Sequence, residues 1–140
     1  MTHPPHFGQP TSVPVGEFSF GRYRVKRLLG AGGMASVFLA EDTASRKAVA
    51  LKVMSHELEA DPEYRARFMR EARVLLGLRH PNVVQVTDAG EEGGRPYFCM
   101  EYLEGEDLEQ RVRRAGPLPW RDAMALMRQA MLGLAAAWQA

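Results

Sequence analysis

A chain of 140 residues, 46% apolar and 25% charged, has the composition of one globular domain at most and excludes a disordered or fibrous class. Its 18 basic and 17 acidic side chains leave a net charge of +1, so no global field points to nucleic acid or an anionic membrane as partner. The single cysteine, Cys99, excludes an intramolecular disulfide and a multi-cysteine metal site, and a free cysteine of this kind is expected to be a small buried apolar residue in a reducing, cytoplasmic setting.

The N-terminal stretch MTHPPHFGQPTSVPVGEF has no positive n-region and no apolar h-region. Proline, glycine and polar residues dominate it, so residues 1–19 read as a disordered leader in which His3 and His6 are solvated. No window approaches the ~20 apolar residues that would span a bilayer. Regular patterning begins at Tyr23. Tyr23, Val25, Leu28 and Leu29 lead into a glycine cluster, and Val37 and Leu39 alternate with Phe38 and Ala40 beyond it, which predicts strand, tight loop, strand. After the turn EDTASRK, the run AVALKVM predicts a third strand ending near Met54. Asp61-Pro62-Glu63 then supplies an N-cap acid, a proline at the first helical position and an acid in the first turn of a helix reaching about Leu78.

His80-Pro81-Asn82 interrupts the chain, VVQVTDAG predicts a fourth strand, EEGGR a turn and PYFCMEYL a fifth. The expectation is an α+β unit, a five-stranded antiparallel sheet with one inserted helix. Leu108 to Ala115 predicts a short helix stopped by Gly116-Pro117. A last helix opens around Pro119-Trp120 and shows no stop signal before Ala140, so it reads as cut short.

The stretch LGAGGMASVFLA can be sorted by context. A dinucleotide fingerprint needs its glycines to open a helix, and a Walker loop needs Gly-Lys-Ser/Thr; here the glycines run into a strand and no lysine follows. A glycine hairpin can still lie over a nucleotide, because residues without Cβ let backbone N–H groups approach phosphate oxygens. An ordinary hairpin turn with a bulge is the alternative. Lys52 stands in Val-Ala-Leu-Lys-Val, where an ammonium should not be buried alone. Tyr64, Phe68, Glu71 and Leu75 fall at i, i+4, i+7 and i+11, which predicts that the Glu71 carboxylate lies in the apolar stripe facing the sheet and pairs with Lys52. The other possibility is that Lys52 snorkels and Glu71 lies at the stripe margin. The stretch HELEA lacks the second histidine of a zinc motif, since position 60 is alanine, and no metal site is assigned.

With these residues in view, the chain resembles the N-terminal lobe and the start of the C-terminal lobe of a eukaryotic-like, bacterial-type serine/threonine protein kinase. The loop Gly30-Ala31-Gly32-Gly33-Met34-Ala35-Ser36-Val37 is similar to the kinase glycine loop, with Ala35 for the third glycine; that departure is expected to stiffen one side of the loop. Val-Ala-Leu-Lys resembles the strand whose lysine holds the α- and β-phosphates, and Glu71 its ion-pair partner. Met100-Glu101-Tyr102-Leu103-Glu104-Gly105 resembles the hinge. The resemblance implies that ATP is held by Leu29, Gly30, Ala31, Gly32, Gly33, Met34, Val37, Ala50, Lys52, Met100, Glu101, Leu103 and Asp107. In that scheme Val37 and Ala50 sandwich adenine, Met100 is the gatekeeper, the backbone of Glu101 and Leu103 meets the adenine edge and Asp107 reaches the ribose. Leu75 and Val86 form the apolar column behind the pair.

The resemblance implies a truncated kinase-like fold, with residues 20–103 as the N-lobe and 104–140 as the start of the C-lobe. Neither the His-Arg-Asp catalytic loop nor the Asp-Phe-Gly magnesium motif occurs in the 140 residues, so no residue is assigned as catalytic base and Mg2+ is expected only in an intact domain. The implied function is ATP-dependent phosphorylation of protein Ser/Thr by the whole domain, the chain alone being inactive. The protein substrate is unspecified. The alternative is a non-catalytic nucleotide-binding or protein-docking module, with self-association through the exposed helix 120–140; a small-molecule phosphotransferase fits the motifs less well.

Overall fold

The computed structural model describes residues 17–140. The leader expectation for residues 1–16, with His3 and His6, lies outside the described residues. The elements in chain order are β1 (Phe18–Phe20), β2 (Tyr23–Ala31), β3 (Ala35–Asp42), β4 (Lys47–Met54), a single 3-10 turn (His56–Leu58), α1 (Pro62–Gly77), β5 (Val86–Glu92), β6 (Arg95–Glu101), α2 (Leu108–Ala115) and α3 (Trp120–Gln139). The strands form one antiparallel sheet in the order β1-β2-β3-β4-β6-β5.

All five expected strands are present, and the sheet holds a sixth. β1 spans three residues and pairs Phe18 with Val25 and Phe20 with Tyr23, so Phe18 and Ser19 belong to the sheet rather than to the leader. Three residues are too few to display a period of two, which is why the strand is invisible in the pattern. The fourth expected strand begins later than its apolar run suggests. Val83 donates its N–H to the His80 carbonyl at 3.1 Å and Asn82 its N–H to His80 Nδ1 at 3.0 Å, a local turn that delays pairing until Val86.

Two turns set the register. The β3–β4 turn is held by Asp42, whose carboxylate accepts from the Ala44 N–H at 3.1 Å and the Ser45 hydroxyl at 2.9 Å. The β5–β6 turn places Gly93 and Gly94 at φ 58° and 82°, the left-handed pair that matches strand twist in a two-residue hairpin.

The pleat sends alternate residues of β4 to different cores. Val49, Leu51 and Val53 join Tyr23, Val25, Ala40 and Cys99 on one face, where Cys99 is buried as expected. Met54 of the other face packs with Ala35, Phe68, Ala72, Val86 and Phe98 under α1. Asp61 caps α1 by accepting from the Glu63 and Tyr64 N–H groups at 2.9 and 3.4 Å, and Pro62 opens the helix. Its buried line is Phe68 and Ala72, whereas Tyr64 is exposed, so the face that meets the sheet is turned away from the expected stripe.

Asp107 and Gln110 form a reciprocal capping box at the start of α2, and Gly116 ends it. α3 meets the rest of the chain at Gly133, its one buried residue, where the Asn82 carbonyl comes within 2.5 Å of the place a Cβ would occupy. No helix among the described residues is long and apolar enough to cross a membrane.

Candidate functional site

Five of the residues expected to hold a nucleotide, Gly30, Val37, Ala50, Lys52 and Met100, fall on one face of the sheet. Gly30 pairs with Val37, Val37 with Lys52, Ala50 with Met100 and Lys52 with Phe98, and cross-strand partners share a face. Ala50 is buried and Val37 half-buried on that face. Leu29 sits at the register shift between Leu28 and Gly30.

The glycine loop is a hairpin tip closed by the Gly32 N–H on the Ala35 carbonyl at 2.9 Å. Gly30, Ala31, Gly32 and Gly33 are exposed, and the Met34 carbonyl accepts the Ser55 N–H at 3.0 Å. None of the three glycines has positive φ. A Cβ built on Gly30 or Gly33 meets nothing within 4 Å, and one on Gly32 only the Ala35 carbonyl at 3.7 Å. Neither backbone conformation nor packing within the described chain requires glycine there; the space they leave is open. Ala35 is not a loop residue. It opens β3 with its methyl group buried against the α1 core.

Lys52 Nζ lies 3.1 Å from Glu71 Oε1, and also 5.1 Å from the Phe98 ring centroid and 5.9 Å from that of Phe68. The aromatic faces stabilise the ammonium while the carboxylate fixes its direction. Both expected alternatives hold in part: the pair forms, and Glu71 sits at the margin of the helix face, half exposed, because Ala72 takes the buried position. Leu75 and Val86 belong to the apolar cluster beneath the pair.

At the end of β6, Glu101 donates its N–H to the Gln85 carbonyl at 3.0 Å, and its carboxylate accepts the Gln85 N–H at 2.8 Å. Leu103 is exposed beyond it. Asp107 Oδ1 accepts the Gln110 N–H at 2.8 Å as the α2 cap; Oδ2 has no protein partner among the described residues.

Three positioning contacts were missed in the sequence. Gln85 anchors Glu101 as above. Arg27 donates to the Tyr102 hydroxyl at 3.2 Å, joining β2 to the segment after β6. Arg65 clamps α1 to the β5–β6 turn through Glu91 at 2.5 Å and the Gly94 carbonyl at 2.8 Å. Each joins residues far apart in the chain, and no local pattern signals them. The HELEA stretch is engaged otherwise: His56 Nδ1 lies 2.9 Å from Glu59, which also pairs with Arg95.

Residues 23–140 match the profile of the protein kinase domain. Serine/threonine-protein kinase PknE of Mycobacterium bovis is 47% identical over 110 residues, covering 79% of this chain and 19% of that protein. Serine/threonine-protein kinase PrkC of Bacillus subtilis is 40% identical over 125 residues, covering 89% of this chain and 19% of that protein. A crystal structure of the Mycobacterium tuberculosis PknI kinase domain superposes with a TM-score of 0.75 at 34% identity, covering 88% of this chain and 51% of that one. The chain therefore spans about a fifth of the length of these curated relatives and about half of the PknI kinase domain.

Proposed function

The chain belongs to the protein kinase family, and from that premise we propose that residues 20–103 hold ATP for a catalytic domain whose helical lobe begins at residues 104–140. The whole domain transfers the γ-phosphate of ATP to a serine or threonine hydroxyl of a protein. Lys52 holds the α- and β-phosphates and Glu71 aims it; the backbone of the glycine loop covers the phosphates. Val37 and Ala50 sandwich the adenine, Met100 backs it, the backbone of Glu101 and Leu103 meets its edge, and Asp107 offers Oδ2 to the ribose. ATP supplies the phosphoryl group, and Mg2+ enters only with the intact domain, because no carboxylate of this chain is assigned to it. The cytoplasm, where ATP is available and Cys99 stays reduced, is the proposed compartment.

One observation carries the reading. Three loop glycines that neither φ nor packing demands form the tip of the hairpin whose Val37 pairs with Lys52, a lysine oriented by a glutamate. An isolated hairpin turn has no use for that combination, whereas a phosphate group uses both parts. The test is thermal denaturation of the chain with and without ATP. A ligand at a hundred times its Kd stabilises by about 2.7 kcal/mol, and an unchanged midpoint at millimolar ATP overturns the proposal.

The exposed apolar face of α3 favours a second reading, a module that docks to protein without catalysis. The two separate on phosphoryl transfer by a polypeptide carrying the whole domain, which only the first allows.

A further inference from the structure

The sheet order places β3, β4 and β6 between β2 and β5. At about 4.8 Å per strand, a flat sheet would hold β2 and β5 about 19 Å apart, beyond the reach of two facing side chains. Yet the Tyr23 hydroxyl of β2 donates to Asp88 Oδ2 of β5 at 2.5 Å. The sheet is therefore curled until its two sides meet, and the meeting line is a polar seam. The Tyr97 hydroxyl donates to the same Asp88 oxygen at 3.2 Å, and Arg22 Nη2 approaches it at 3.6 Å while Arg22 Nε faces Asp42 at 3.3 Å. Phe20 and Tyr23 meet the Tyr97 ring edge-on at 5.5 and 5.7 Å between centroids. Tyr23 is 1% exposed, and Asp88 is the partner its buried hydroxyl depends on.

The seam grips one end of the hairpin whose other end is the glycine loop. Tyr23 pairs with Asp42 at the base of β2–β3, and Ala31 pairs with Ser36 at the tip. The base is further tied by Thr43, which donates both its N–H and its hydroxyl to the Arg22 carbonyl at 3.0 and 2.7 Å. The tip carries exposed glycines with open space around them. On the β3 side the tip is held, since β3 pairs with β4 from Ala35 to Asp42 and the Met34 carbonyl takes the Ser55 N–H. Beyond Val25 the backbone of β2 pairs with β3 alone among the described residues, across two register shifts, so it is β2 and the glycines after it that can pivot about the seam. We propose that Asp88 is a positioning residue for the glycine loop: by clasping Tyr23 and Tyr97 it sets the angle at which β2 and the glycines that follow it lie over the sheet face bearing Lys52.

This inference uses the nucleotide reading for its purpose but not for its test. The experiment is amide hydrogen exchange of the nucleotide-free chain in wild type, Asp88→Ala, Asp88→Asn and Tyr23→Phe, following residues 30–37 against the α1 amides of residues 66–74. Loss of a hydrogen bond to a carboxylate is expected to raise loop exchange about tenfold in Asp88→Ala, with α1 unchanged. Asp88→Asn, which keeps an acceptor oxygen, is expected to restore most of the protection. Tyr23→Phe keeps the ring in the core and serves if Asp88→Ala does not fold; it is expected to raise loop exchange as well. Unchanged loop exchange in a folded variant, or an equal rise in loop and α1, overturns the proposal. A loop response in a chain whose midpoint ATP does not shift supports the seam and removes the nucleotide reading. An ATP shift with no loop response in any variant does the reverse.

Discussion

Lys52 and Glu71 form their pair at 3.1 Å with 27% of the lysine side chain and 48% of the glutamate side chain exposed. An ion pair this open contributes at most about 1 kcal/mol to folding. Its value lies in orientation, since the aromatic faces of Phe68 and Phe98 and the Glu71 carboxylate together hold the ammonium in one place. Lys52→Met is therefore expected to lower the melting midpoint by less than about 5 °C while removing most of the ATP-induced rise. Thermal denaturation with and without ATP checks this. Equal ATP shifts in wild type and variant would remove the assigned role of Lys52.

Gly30 and Gly33 give the opposite combination of effects. Both have φ values that alanine accepts and room for a Cβ. Replacing them by alanine is expected to stabilise the chain by about 0.4–1 kcal/mol each, through the unfolded state, in urea unfolding. The same substitutions place methyl groups where a phosphate would approach, so ATP binding should weaken. A variant that lost stability and kept full ATP binding would show that the glycines serve the hairpin alone.

The features legible in the sequence are those written in local pattern. The Asp61-Pro62-Glu63 helix start, the Gly116 stop, the glycine hairpin and the Lys52 strand follow from neighbouring residues, and all appear where the pattern puts them. Glu71 was legible through its helical spacing from Tyr64 and Phe68, which offered a carboxylate to the misplaced Lys52. What the sequence did not reveal depends on the curl of the sheet. Asp88 reads as a turn-proximal polar residue until β2 is brought round to it, and Ala72 outcompetes Glu71 for the buried line only once Phe68 has docked on Phe98. Gly133 reads as an ordinary weak point in a helix, and its reason is a carbonyl about fifty residues away.

The seam should make the chain sensitive to alkali. Burial, then the hydrogen bond to Asp88, pushes the Tyr23 phenol up; burial and the Asp88 charge push Tyr97 up, and burial pushes the Cys99 thiol up. Groups raised in the folded state contribute stability that is full below their unfolded pKa and is lost as pH rises past it. For tyrosine that value is about 10. The melting midpoint is expected to fall from about pH 9 upward, and Tyr23→Phe to flatten that fall. An identical alkaline slope in Tyr23→Phe would show that Tyr23 ionises as freely folded as unfolded.

Gly133 should tolerate no side chain. A Cβ there would lie 2.5 Å from the Asn82 carbonyl oxygen and 3.2 Å from Val83 Cγ2. Backbone cannot yield as a side chain can, so Gly133→Ala is expected to cost about 1–3 kcal/mol despite the better helix propensity of alanine. Urea unfolding measures the loss. If Gly133→Ala were as stable as wild type, α3 would not be docked on the Asn82 turn.

α3 carries the last prediction on its outer face. Trp120, Met124, Met127, Met131, Leu134 and Trp138 are 59–90% exposed. They follow one another at intervals of four, three, four, three and four, the spacing of a seam between paired helices. Burying such side chains returns about 1.5–3 kcal/mol each, and six from each of two helices outweigh the about 4–15 kcal/mol that association costs. The 140-residue polypeptide is expected to self-associate through this face, with a mass by light scattering that rises with concentration. Met127→Glu with Met131→Glu places like charges in the centre of the seam and should return a monomer without disturbing Gly133 at the opposite contact. A wild-type monomer at high concentration would show that the stripe does not pair with itself.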